Sequence, residues 1–275
     1  MSPLDLAAQN LLSPMVLFFA LGLLAALARS DLTIPEAVAK TMALYLMMAI
    51  GFKGGAEVAA RGLDTAIVLT MAAGAVLSFV LPFVGFVLLK ATTRLDRVNA
   101  AAVAAHYGSI SIVTFVAGTQ MMAGLGLNPE GFLVAVAAVM ETPAIIAALM
   151  IARAKSSRAP HDEDTAGTGE LMREILLNGS VVMLVGAFII GWITGPAGLE
   201  RVAPFIVAPF QGVLCLFLLD MGLVAGRGLK SGAKSLTPGV IAFGLYMPLI
   251  GALVALPFAW ALPLSTGGAA LLITL

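Results

Sequence analysis

The stretch Ala105-His-Tyr-Gly-Ser-Ile-Ser-Ile-Val-Thr-Phe115 gathers side chains that can hold a small anion inside an otherwise apolar run. It lies within residues 98–129, a charge-free segment longer than the roughly 20 residues a straight bilayer crossing needs. A Gly followed by Ser, Ser and Thr suits a helix break at that depth. Gly108 would form the break, while Ser109, Ser111 and Thr114 would offer hydroxyls and freed amides beside a half-helix N-terminus. The alternative is local, since Ser and Thr in membrane helices commonly bond back to carbonyls of the preceding turn. The residues alone leave both readings open.

A second candidate is Glu141, in Val139-Met-Glu-Thr-Pro-Ala144. A carboxylate inside a membrane segment is costly and usually faces a polar pathway. Pro143 has no amide hydrogen and leaves a carbonyl of the preceding turn open. Glu141, Thr142 and that carbonyl therefore offer hard oxygens suited to Na+. Asn99 could add an amide oxygen, although helix capping is its commoner use. Asp220, also inside a span, reads either as a functional acid or as a snorkelled carboxylate partnered near Arg227, and Lys40 reads as a snorkelling lysine. His106 and Tyr107 read as packing or interfacial residues. The only other histidine is His161, so a histidine-based metal site is not expected. Cys215, the single cysteine, supplies neither an internal disulfide nor a thiolate set. No G-x-S-x-G, P-loop or H-E-x-x-H occurs, and no enzyme activity is expected.

The elements around these residues follow from composition. The chain is 60% hydrophobic and 11% charged, against roughly 45–50% and 25% in soluble domains. Its 15 basic and 15 acidic side chains cancel, so no net field draws nucleic acid. The apolar runs are too long and too rich in Leu and Ala for barrel strands. The fold class is an all-α polytopic membrane protein. Spans are expected over 11–28, 34–51, 65–89, 98–122, 131–151, 175–194, 202–225 and 238–262, with a ninth beginning near Ser265. No Lys or Arg precedes residue 11, so the first span lacks the basic start of a cleavable signal.

Loop charges set the orientation. Arg29, Lys90, Arg94, Arg97, Arg153, Lys155, Arg158, Arg173, Arg227, Lys230 and Lys234 fall on one side, against Lys53, Arg61 and Arg201 on the other. That places the N-terminus outside. A polar linker, residues 153–174, then lies in the cytoplasm between a first five-helix unit at 1–152 and a second unit at 175–275. The second unit repeats the first. Leu46-Met-Met-Ala-Ile-Gly51 and Arg61-Gly-Leu63 find counterparts in Leu218-Leu-Asp-Met-Gly222 and Arg227-Gly-Leu229, and Gly51 and Gly222 stand 171 positions apart. Each is followed by a charge-free span that contains a proline, Pro82 or Pro248. Five spans before the linker make the repeat inverted, as in many secondary transporters.

Ile34-Pro-Glu-Ala37, Ile50-Gly-Phe-Lys-Gly-Gly55, the 105–115 stretch and Met140-Glu-Thr-Pro-Ala144 occur in that order. Together they resemble the sodium-dependent bicarbonate transporter superfamily over essentially the whole chain. The resemblance implies two inverted five-helix repeats in a bacterial plasma (inner) membrane, with core and gate domains and a broken fourth helix. It implies a homotrimer whose core domain moves in an elevator-like cycle, and import of bicarbonate with Na+ as the coupling ion and no cofactor. Some members are inhibited by a cytoplasmic PII-like protein. Bicarbonate would sit between the broken fourth and ninth helices, which makes Gly108, Ser109, Ser111 and Thr114 its first-half ligands. Glu141 and Asn99 are assigned to Na+ by position. The competing readings are a carrier of another small anion or organic acid, and a non-transporting membrane scaffold or sensor.

Length bears on the second half-site. The offset of 171 puts the counterparts of Ser109 and Ser111 near 280 and 282, past Leu275. The segment from Ser265 is too short to span a bilayer. The expectation is a transporter sequence cut short inside its second half-site, and as a complete polypeptide it would not transport.

Overall fold

The computed structural model describes residues 8, 11–153, 179–232 and 236–275. The expected linker and the start of the 175–194 span lie outside the described residues. Among the described residues the regular structure is helical: α1 Pro14–Leu27, α2 Glu36–Arg61, α3 Thr65–Thr92, α4 Arg97–Ala105, α5 Ile112–Gly124, α6 Leu133–Arg153, α7 Gly179–Ile206, α8 Phe210–Gly232, α9 Pro238–Ala261 and α10 Thr266–Thr274. Six of these, α2, α3, α6, α7, α8 and α9, are long and apolar enough to cross a membrane. Their outer faces agree with that, since Trp260, Leu245, Leu249 and Leu253 on α9 are exposed.

Helix ends follow side-chain chemistry. Asp64 caps α3 by accepting from the Ile67 amide at 2.8 Å, and Asp96 caps α4 through the Asn99 amide at 3.0 Å. Pro14 and Pro238 open α1 and α9, where a missing N–H costs nothing. α2 runs ten residues beyond the expected 34–51. Charges at Lys53, Glu57 and Arg61 do not end a helix; Gly62, at φ 80°, does.

The expected boundary between the 175–194 and 202–225 spans also moves. At Gly195 the backbone takes φ 62° and ψ −159°, and Pro196 restarts the helix. The chain then returns along α2: Gly195 lies beside Ala59, Leu199 and Val202 pack near Phe52, and the Phe205 carbonyl accepts from the Tyr45 hydroxyl at 2.5 Å. The apolar residues after 202 therefore belong to a returning arm, and the next long helix starts at Phe210.

Two helix crossings dominate one side of the molecule. In the first, α1 meets α8, and a Cβ on Gly22 would overlap the Leu219 carbonyl while one on Gly222 would overlap that of Phe19. In the second, α2 meets α7, where Gly51, Gly55 and Gly191 lie under the carbonyls of Leu184, Phe188 and Phe52. Without hydrophobic drive between helices in lipid, close backbone approach at small residues supplies the attraction. Contacts advance in the same direction in both crossings, Phe19 to Gly222 and Leu23 to Gly226, Gly51 to Leu184 and Gly55 to Phe188. Each pair is parallel.

On the other side, α3 packs against α4, α6 and α9, and α10 leans on α5 and α9. The two sides meet where Val134 of α6 covers Gly54 of α2 and Glu57 lies against Gly131. The second side holds two apolar clusters. One joins Ile67, Phe132, Leu133, Ala259 and Leu271. The other joins Leu89, Ala100, Ala104, Phe243 and Met247. They occupy opposite ends of α3 and α9, and the middle of both helices is left for the site.

Lys230 and Arg97 bind helix ends instead of carboxylates. Lys230 donates to the Ala26 and Leu27 carbonyls at 2.9 and 3.0 Å, and Arg97 Nε donates to Ile151 at 2.7 Å. This complements the negative ends of α1 and α6. Lys40 pairs with Glu36 one turn earlier at 2.7 Å on an exposed face, where such a pair contributes little. Asp220 is buried and is not paired with Arg227, whose guanidinium donates to the Leu32 carbonyl at 3.0 Å. Seven residues set the two about 10 Å apart along the helix, which is too far for the partnership of the snorkelled reading.

Candidate functional site

The chain breaks in the middle of the 98–129 run. α4 ends at Ala105, residues 106–111 turn, and α5 starts at Ile112. The break is wound tightly at first: the amides of Tyr107 and Gly108 donate three residues back, to Ala104 and Ala105, both at 3.1 Å. Ser111 then caps α5, its hydroxyl facing the Thr114 amide at 3.4 Å. Among the described residues, the amides of Ile110 and Ser111 make no backbone hydrogen bond. The N-terminal end of α5 therefore presents unpaired donors and the positive end of its dipole.

Gly108 supports this turn from behind. It is buried against the Ser78 carbonyl and the Pro82 ring, and a Cβ there would overlap both. Pro82 has no amide hydrogen, so the Ser78 carbonyl four residues earlier lacks its helical donor. The Ser78 hydroxyl, fully buried, donates to the Met140 carbonyl on α6. One serine on α3 thus touches both the break and the helix that carries Glu141. Sequence reading missed Ser78; the signal that could have found it is a proline four positions later.

Ser109 and Glu141 meet. The Ser109 hydroxyl donates to Glu141 Oε2 at 2.9 Å, across 32 positions of sequence, with both residues partly buried. Pro143 interrupts α6 beside them and leaves the Val139 carbonyl without its helical donor. Among the described residues no three His, Cys, Asp or Glu side chains stand close enough together to hold a metal. Any cation here would rest on one carboxylate with hydroxyl and carbonyl oxygens. Those donors fit Na+ better than a transition metal.

Asn99 is elsewhere. It sits exposed in the first turn of α4, and its side-chain amide donates to Asp96. Those bonds, the backbone one first, hold the Asp96 carboxyl below the ordinary carboxylate value. The structure does not bring Asn99 to Glu141, about 9 Å of helix separating it from Ala105.

A cavity of about 430 Å3 opens in front of the break. Ser109, Ser111, Thr114 and His106 line it from the fourth span, Met247 to Ala255 from α9, and Thr274 with Leu275 from the end of α10. α10 is itself capped by Ser265, whose hydroxyl faces the Gly268 amide at 3.0 Å, and its start is gripped by Glu130, which accepts from the Ser265 amide at 2.6 Å. At one edge Tyr107 stacks edge-on against Phe243, centroids 5.2 Å apart, and Phe243 against Tyr246 at 5.5 Å. The space is small, mostly apolar, and polar on the side of the break, as small-ligand sites generally are.

The family model of the Na+-dependent bicarbonate transporter superfamily matches residues 14–275, nearly the whole chain. The chain belongs to this family. It is accordingly a multi-pass membrane protein of a transporter family and not an enzyme. No individual curated protein matches the sequence.

Proposed function

We propose that the protein imports bicarbonate together with Na+, using the cavity at the broken fourth span as the anion site. Family membership supports the ion pair transported. The observation that carries the site is the Ser109–Glu141 hydrogen bond. A serine hydroxyl has one proton, so Ser109 cannot donate to Glu141 and to an anion at once. Na+ at Glu141 neutralises the carboxylate and frees that proton for the anion. Binding of the cation thereby strengthens binding of the anion, and by linkage the reverse holds. Ser111, Thr114 and the open amides of the break complete the cradle. Gly108 shapes it, and Asn99 stays outside it.

The glycine crossings support the inverted repeat. Gly22 of α1 with Gly222 and Gly226 of α8 mirrors Gly191 of α7 with Gly51 and Gly55 of α2, as two inverted copies require. α1, α2, α7 and α8 pack chiefly on one another and meet the helices around the cavity through α6 and Val116 of α5, which supports one body sliding on the other, with the Gly54–Val134 contact part of the sliding surface. Basic residues gathered at the ends of α1, α3 and α8 support a cytoplasmic location for those ends and an external N-terminus.

The test is uptake of labelled bicarbonate by the reconstituted full-length protein. A Na+ gradient is expected to drive it, and Na+-independent uptake overturns the coupling. Ser109→Ala is expected to weaken apparent bicarbonate affinity about tenfold, the effect of one hydrogen bond to a charged ligand, and to flatten its dependence on Na+. An unchanged Na+ dependence removes Ser109 from the coupling.

A further inference from the structure

We propose that His106 selects among small anions by accepting a hydrogen bond from the anion's own hydroxyl; this rests on the reading of the cavity as an anion site. His106 lines the cavity and is exposed to it. At the end of α4 the His106 amide turns to the Val103 carbonyl, three residues back, at 3.3 Å. That leaves the Ala102 carbonyl, its regular helical acceptor, open to another donor. His106 Nδ1 lies 2.8 Å from this oxygen. A carbonyl oxygen only accepts, so Nδ1 carries the proton, and in the neutral ring Nε2 is a bare acceptor.

The rest of the polar lining on that wall offers protons, since a hydroxyl donates as well as accepts. Ser109, Ser111 and Thr114 are hydroxyls, and the break adds amides that can only donate. Such donors hold the charged oxygens of any small anion. Nε2 adds the one nitrogen acceptor on that wall, and it rewards an anion that carries an O–H. Bicarbonate has that group; nitrate and formate are planar monoanions of similar size without it. A site built to pair a hydroxyl rejects the analogue that lacks one, because its own polar atom is then left unpaired.

The test is equilibrium binding of labelled bicarbonate to the purified full-length protein in Na+, with unlabelled nitrate and formate as competitors. In the unsubstituted protein both competitors are expected to bind at least tenfold more weakly than bicarbonate. His106→Phe keeps the ring and removes Nε2; bicarbonate affinity is expected to fall about tenfold while nitrate and formate are unmoved, so the preference collapses. His106→Gln, whose amide oxygen reaches the Nε2 position, is expected to restore most of it. A retained preference in His106→Phe overturns the proposal. So does a parallel loss of all three anions, or a failure of His106→Gln to restore discrimination while it still elutes as a folded protein. If the unsubstituted protein binds nitrate and formate as well as bicarbonate, selection at His106 is wrong and the anion site stands. If it binds no anion, the site reading falls first.

Discussion

The two sides of the molecule are held together by opposite means. In the α1/α8 and α2/α7 crossings, glycine backbone presses on carbonyl oxygen with no side chain between. Around the break, hydroxyls, prolines and one carboxylate keep helices apart and leave carbonyls and amides open. The first kind of contact tolerates no added atom. The second depends on hydrogen bonding, with Gly108 against the Ser78 carbonyl as a close backbone approach of its own. The proposed transport needs both, since a site that moves would require a frame that does not yield.

The largest effect is expected from the crossings. A side chain at Gly191 would collide with the Phe52 backbone, which cannot rotate away as a flexible side chain could. Gly191→Leu is expected to cost at least the roughly 1–3 kcal/mol of an overpacked core, read as a lower unfolding temperature and poor recovery in detergent. Gly186, also on α7, has open space around its Cα. Gly186→Ala is the control and is expected to leave unfolding unchanged. Equal damage from both would show that the crossing is not what makes Gly191 essential.

Around the break, the effect is expected in binding more than in stability. Ser111 caps α5 and lines the cavity, so Ser111→Ala removes two things at once. Loss of the cap is expected to cost about 1 kcal/mol in thermal unfolding. The bicarbonate concentration for half-maximal uptake is expected to rise several-fold. Ser111→Asp restores a cap but sets a negative charge at the cavity, and it is expected to recover stability without uptake. Recovery of both would reduce Ser111 to a cap.

The contrast also explains what the sequence made legible. The break stood out because Gly108 and three hydroxyl residues interrupt a long apolar run, a local signal. The meeting of Ser109 with Glu141 was not legible, although both residues stood out singly. It depends on the relative rotation of α4–α5 and α6, which no pattern within either segment records. Asn99 was placed by proximity in sequence to the break, and Asp96 holds it at the far end of α4. Six of the expected spans, readable from missing charge, are helices long and apolar enough to cross a membrane. The returning arm after Gly195 was not readable, since apolar content does not tell a chain's direction; Gly195-Pro196 was the clue, a flexible residue ahead of a helix-starting one. The expected repeat rests on Gly51 and Gly222, and what the sequence could not give is that both glycines sit at close helix crossings, which belong to three dimensions.

The smallest expected effect separates two helix ends of similar form. The last turn of α1 closes with the Ser30 amide on the Ala25 carbonyl at 2.9 Å and the Arg29 amide on Ala26 at 3.2 Å, a pattern that puts Arg29 in the left-handed region at φ 61°. The first arm of α7 closes at Gly195 with φ 62°. Glycine adopts that angle freely, whereas an L side chain is strained by about 1 kcal/mol. Arg29 is exposed and makes no ion pair among the described residues, so little is lost with its side chain apart from one of the bases on that face. Arg29→Gly is expected to stabilise the protein by up to about 1 kcal/mol, read as a small rise in unfolding temperature. Gly195→Ala is expected to lower it by more, because ψ −159° at that φ is a region only glycine enters readily. Should Arg29→Gly be destabilising instead, the Arg29 side chain makes contacts that outweigh the relief of strain at φ 61°.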